Sequence, residues 1–133
     1  MNILLFNEIG EKIMKDLMNS TNLNQSQLRL LLFFDGTGNE FLSMNELARE
    51  LTISISTLSR QLSQEQTKSY LEFDLTSKDS TKYVHLSEAG LAKTSALKAR
   101  ITELTSKLFA YSDQQELSFL TSELSMINKK LNS

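Results

Sequence analysis

The sequence predicts a mainly α fold with a small antiparallel sheet of two or three strands. Three observations predict it. Apolar residues recur at helical spacing along most of the 133 residues, and there is no proline to interrupt a helix. The stretch from Ser43 to Leu62 reads as two short helices joined by a tight turn. Two alternating apolar–polar segments, Tyr70–Leu75 and Lys82–Leu86, then flank a polar loop, which is the pattern of a half-buried hairpin.

The elements follow in order. Residues 3 to 18 place Phe6, Ile9, Ile13, Met14 and Leu17 on one helical face, and Ser20-Thr21-Asn22 ends that helix. Asn24 is the N-cap of a second helix through Phe34. Leu28, Leu30, Leu31, Leu32, Phe33 and Phe34 make that helix apolar nearly all round, so it belongs in the centre of the core. Asp35-Gly36-Thr37-Gly38-Asn39 is a turn, and Phe41-Leu42 has room only for a short strand.

Ser43 and Glu46 have capping-box spacing and open a third helix with Leu47, Ala48 and Leu51 inward. Thr52-Ile53 makes a turn. Ser54 caps a fourth helix running to about Thr67, with Ile55, Leu58 and Leu62 inward by the i, i+3, i+7 rule. In the hairpin, Leu71, Phe73 and Leu75 share one face, and Tyr83 and His85 lie opposite Val84 and Leu86. A helix-turn-helix followed directly by such a hairpin is a winged helix. Ser87 caps a long fifth helix to about Ala110, with Leu91, Leu97, Ile101, Leu104 and Leu108 inward. Ser112 and Gln115 repeat the capping-box spacing before a last helix striped by Leu117, Leu120, Leu124, Ile127 and Leu131. The expected organisation is a single domain over residues 1–133. Residues 22–87 form the winged-helix core, and residues 1–20 and 88–133 form a helical region around it.

Composition narrows the function. Hydrophobic content is 40% and charged content 23%, as in an ordinary soluble globular protein. No apolar run reaches transmembrane length, and the opening Met1-Asn2-Ile3-Leu4-Leu5-Phe6 lacks the basic start and long apolar middle of a signal peptide. The expectation is a cytoplasmic protein with no membrane partner. There is no cysteine and one histidine, His85. Disulfides, thiolate zinc sites and multi-histidine metal sites are excluded, and no metal or cofactor is expected. The glycines at 36 and 38 have no phosphate-loop lysine after them, and no nucleophile–base pattern surrounds His85. The chain is therefore not expected to be an enzyme.

The fourth helix carries the chemistry of interest. Ser54, Ser56, Thr57 and Ser59 place short hydroxyls in its first turns, where side chains and free backbone N–H groups can bond phosphates. Arg60 can pair with phosphate or fork onto guanine O6 and N7, and Gln61 and Gln64 can read a base edge. Lys78 and Lys82 in the hairpin loop can touch phosphates. The competing reading is a solvated polar helix face capped by Ser54, with ordinary surface lysines. Charge weighs on that side. The chain carries a net −2, and the block from Ser43 to Leu86 holds five basic against six acidic residues. His85 reads as a partly exposed strand residue, with pH sensing or effector binding as the rival assignment. The first-helix stripe Phe6, Ile9, Ile13 and Leu17 and the last-helix stripe have little to pack against within one small winged helix, and a second copy buries them better.

The order of elements resembles the MarR family of bacterial transcriptional regulators over nearly the whole chain. Leu23-Asn24-Gln25-Ser26-Gln27-Leu28-Arg29-Leu30-Leu31 is similar to that family's second helix. Met44-Asn45-Glu46-Leu47-Ala48 and Ser54-Ile55-Ser56-Thr57-Leu58-Ser59-Arg60 are similar to its helix-turn-helix. Leu86-Ser87-Glu88-Ala89-Gly90 is similar to the stretch after the wing, and Asp113-Gln114-Gln115-Glu116-Leu117 to the start of the final helix. The resemblance implies a homodimer held by the first and last two helices, with two reading helices over a pseudo-palindromic operator in double-stranded DNA. It also implies a repressor, and release by a small apolar or phenolic effector. One departure stands out. The family's wing carries an arginine for the minor groove, whereas Lys78-Asp79-Ser80-Thr81-Lys82 has none, and lysine lacks the planar fork. That departure and the acidic balance support the alternative, a winged-helix dimer acting mainly through protein contacts as an adaptor or modulator.

Overall fold

The computed structural model describes residues 2–75 and 81–132. The chain divides into two compact units, residues 1–101 and 102–133. The first contains α1 (Ile3–Thr21), α2 (Gln25–Gly36), β1 (Leu42–Ser43), α3 (Met44–Leu51), α4 (Ile55–Ser63), α5 (Glu65–Ser69), β2 (Leu71–Leu75) and β3 (Lys82–Leu86), and most of α6 (Glu88–Leu108). The second contains α7 (Gln114–Leu131). The fold is mainly helical with one three-stranded antiparallel sheet, ordered β1-β3-β2.

Local chemistry explains the boundaries. Asn22 ends α1 in the left-handed conformation (φ 58°), which Asn tolerates better than most residues. The helix therefore runs through Ser20 and Thr21, which the sequence assigned to a break. Asn24 opens α2 with a full capping box: its side chain accepts from the Gln27 backbone, and the Gln27 side chain accepts from Asn24 N–H at 2.8 Å. Ser43 accepts from Glu46 N–H to open α3, and Arg29 on α2 donates to the Leu51 carbonyl at 2.7 Å, satisfying an orphan acceptor at the α3 C-terminus. The wing is registered on β3: Leu71 pairs with Leu86, Phe73 with Val84 and Leu75 with Lys82. β1 adds Leu42 opposite Val84 on the other edge, one residue later than the Phe41-Leu42 strand expected. Asn39 extends that pairing with its side chain, accepting from Leu86 N–H at 2.7 Å and donating to Leu86 C=O at 3.3 Å.

The core of the first unit is built from Leu28, Leu31 and Phe34 of α2, Leu47 of α3, Leu58 of α4, Val84 and Leu86 of β3, and Leu97 of α6, all essentially inaccessible. Asp16 on α1 accepts from Arg100 on α6 through both carboxylate oxygens, at 2.8 to 3.0 Å. Several inward assignments change. Leu75, at the far end of β2, is 70% exposed, and Leu91 and Leu108 lie on the open side of α6. The fourth helix stops at Ser63 because Gln64 turns extended (ψ 133°), and α5 restarts at Glu65. Asp113, rather than Ser112, caps α7 by accepting from Gln115 N–H.

Gly90 shows how tightly the wing joins α6. A Cβ built there would lie 2.1 Å from the Tyr70 carbonyl oxygen, which already accepts from Ser87 N–H at 2.9 Å. Gly90→Ala should therefore destabilise the fold by about 1–3 kcal/mol, as overpacking does. Denaturant unfolding checks this: the midpoint should fall with an unchanged slope, and an unchanged midpoint would contradict the close approach.

Candidate nucleic-acid interface

The turn between α3 and α4 places the N-terminus of α4 at the surface. Thr52 sits in the left-handed region (φ 59°) as the C-cap of α3, and Ser54 accepts from Thr57 N–H at 3.1 Å to start α4. Leu58 and Leu62 anchor the helix in the core. The opposite face carries Ser56, Ser59 and Arg60, all exposed, with Thr57 and Gln61 half-buried at its margins. The hydroxyls at the helix start bond to one another: Ser54 Oγ lies 2.9 Å from Thr57 Oγ1 and 3.3 Å from Ser56 Oγ. Arg60 donates from Nη2 to Thr57 Oγ1 at 3.4 Å, a long contact that leaves the guanidinium exposed.

Gln64 is placed differently from the sequence expectation. It lies beyond the last turn of α4, and its Oε1 accepts from Asn24 Nδ2 at 3.4 Å and Thr67 Oγ1 at 3.5 Å. Buried Gln27 completes this junction by donating to Thr67 Oγ1 at 3.1 Å. Gln64 is thus an exposed residue just beyond the last turn of α4, with two long contacts toward α2 and α5.

Ile55 was expected inward and is 50% exposed. It occupies the first helical position, and side chains lean toward a helix N-terminus, so it projects past the end of α4 with no preceding turn beneath it.

The wing brings a second cationic group. Lys82 Nζ stands 4.2 Å from the centroid of the Phe73 ring, a cation–π contact across the hairpin. Lys82, Phe73, Lys68, Ser59 and Ser63 line a concavity of about 500 Å³ between α4 and the sheet. Lys68 was not among the sequence candidates. The break at Gln64 and the short α5 bring it to this concavity, and no periodicity signals such a break. Lys78 lies outside the described residues.

Strand alternation separates part of the charge of this block by face. Lys82 shares a sheet face with Phe73 and Val84, while Glu72 and Asp74 point to the other face, paired in register with His85 and Tyr83. Glu72 Oε2 lies 3.0 Å from His85 Nε2, and the His85 ring is 4.0 Å from Phe41 by centroids. Both β2 carboxylates thus lie on the sheet face opposite Lys82, and Glu72 is paired with His85 there. His85 is half-buried within this cluster.

The two apolar stripes differ. Phe6 and Ile9 on α1 are exposed along with Ile3, Leu4 and Leu5, and Ile13 is half-buried. Leu17 is a correction: at 7% exposure it is part of the first unit's own core. On α7, Leu117 is half-buried and Leu120, Leu124, Ile127 and Leu131 are exposed, together with Phe119 and Met126. No described residue of α7 is buried. Among the described residues, no cluster of three or more His, Asp or Glu could hold a metal ion, and no helix is long and apolar enough to cross a membrane.

No protein-family model matches the sequence, and no curated protein matches it. Solved structures do. A Staphylococcus aureus MepR–DNA complex is similar at 18% identity with a TM-score of 0.71, covering 98% of this chain and 96% of that one. MepR, described as a transcription regulator of the S. aureus multidrug efflux pump MepA, is similar at 16% identity with a TM-score of 0.73, covering 98% of each chain. Wild-type apo MarR from E. coli is similar at 17% identity with a TM-score of 0.72, covering 94% of this chain and 93% of that one. The chain has the winged-helix fold of these MarR-family structures.

Proposed function

We propose that this chain is a MarR-family transcriptional regulator that reads double-stranded DNA as a homodimer. The carrying observation is the α4 face: Ser56, Ser59 and Arg60 stand exposed on a core-anchored helix, with Lys68 and Lys82 across an adjoining concavity and the β2 carboxylates turned away. A helix-turn-helix puts the N-terminal residues of such a helix against base edges in the major groove. In this reading Ser54, Ser56, Thr57 and Ser59 bond phosphates or bases and Arg60 supplies the bidentate contact. Gln61 reads from the margin, and Lys68, Lys78 and Lys82 neutralise backbone phosphates. The exposed apolar residues of α1 and α7 form the self-association surface, because a monomer would leave them in water. The proposal includes repression as the sign of regulation and release by a small apolar or phenolic effector. It places the protein in the cytoplasm and gives it no catalytic role.

Selection of bound duplexes from a randomised library tests this reading. The expected product is an inverted repeat with half-sites about 10 base pairs apart, or a multiple of that. A library that emerges without enrichment would overturn operator reading and favour the adaptor assignment, in which the same dimer works through protein contacts.

A further inference from the structure

The apolar residues of the helix-turn-helix are buried or, at Met44 and Ile53, half-buried, with one exposed. Leu47, Ala48, Leu51, Leu58 and Leu62 are buried. Ile55 is the exception, half-exposed at the first position of α4. Its polar neighbours are already partnered. Ser54 Oγ is shared among Thr57 N–H, Thr57 Oγ1 and Ser56 Oγ. These hydroxyls have part of their hydrogen-bonding capacity spent within the chain, whereas the sec-butyl group of Ile55 has no apolar cover on its outer side. A branched aliphatic group at the leading tip of a reading helix meets one chemically matching feature in the major groove, the thymine 5-methyl group.

We propose that Ile55 is a specificity-determining residue that selects a thymine by packing against its 5-methyl. The inference rests on the DNA-reading assignment of α4. It adds a base preference that none of the polar residues supplies, since hydroxyls bond several base edges alike. The methyl contact involves no charge, so it should change discrimination without changing the salt dependence of binding.

The test uses the full-length protein and the duplex recovered by selection, with deoxyuridine replacing thymine one position at a time. That change removes only the methyl group. One substitution in each half-site removes two methyl groups and should weaken wild-type binding about ten- to twentyfold, roughly fourfold for each buried methyl. Ile55→Ala should bind the thymine and deoxyuridine duplexes equally, and Ile55→Val should retain most of the preference. A half-exposed side chain contributes little to folding, so both variants should match the wild type in thermal unfolding. Deoxyuridine effects that are absent, or equal in wild type and Ile55→Ala, would overturn the proposal while leaving DNA reading intact. Loss of self-association in Ile55→Ala by light scattering, with the thymine preference unchanged, would overturn it in favour of a protein contact. Failure of the wild type to prefer any duplex would overturn both.

Discussion

Arg60→Ala should abolish preferential DNA binding while leaving the fold intact. Arg60 is exposed, and the one side-chain hydrogen bond it makes among the described residues is the long contact to Thr57, so its removal opens no cavity and strands no buried group. On DNA the same side chain supplies the fork that a bidentate base contact needs, worth about 1–3 kcal/mol per half-site. A homodimer loses it twice. Arg60→Lys should fall between, since it keeps the charge and loses the planar geometry. Competition titrations against scrambled duplex check the series, and an Arg60→Ala protein with undiminished preference would remove α4 from the reading role.

The double substitution Leu120→Glu with Leu124→Glu should convert the protein to monomers. Both leucines are exposed, lie one turn apart on α7, and belong to a helix with no buried residue. Moving such a half-exposed leucine into an interface contributes about 1 kcal/mol, and the pair recurs in both protomers. Introduced carboxylates reverse that gain, because a buried unpaired charge costs several kcal/mol. Sedimentation or light scattering should report half the wild-type mass with helical content preserved. Affinity for the two-half-site duplex should fall by about 10² or more as avidity disappears. A wild-type mass in the variant would place the self-association surface elsewhere.

Much of this molecule was legible in the residues themselves. Asn24, Ser43 and Ser54 open α2, α3 and α4 because Asn and Ser side chains accept orphan backbone donors, and that chemistry is local. The wing was legible because strict alternation at Leu71–Leu75 and Lys82–Leu86 has no helical solution. Gly90 had the look of a family feature, and its cause, the Tyr70 carbonyl against its α-carbon, depends on a tertiary contact.

The failures share one origin in tertiary placement. Ile55 satisfies the i, i+3, i+7 rule with Leu58 and Leu62, yet a residue at the first helical position leans beyond the helix end. Gln64 has a helix-compatible neighbourhood, yet its backbone turns extended and its side chain reaches Asn24, forty residues away, and Thr67 in the next helix. The charge balance between Ser43 and Leu86 is a sum that ignores faces: Glu72 and Asp74 belong to the side of the sheet that holds His85 and Tyr83. Leu17 fits the α1 stripe by spacing, but the lower end of that stripe is used by the core.

On the proposed function, α4 reads a DNA sequence with electrostatic help from neighbouring lysines. Fluorescence anisotropy on the selected duplex and on a scrambled one, repeated across salt concentrations, tests it most directly. The selected duplex should bind more tightly at every salt concentration. The slope of log affinity against log salt should become shallower by about one for each phosphate contact removed in Lys68→Ala or Lys82→Ala. Equal affinity for the two duplexes, or a slope indifferent to both lysines, would contradict it.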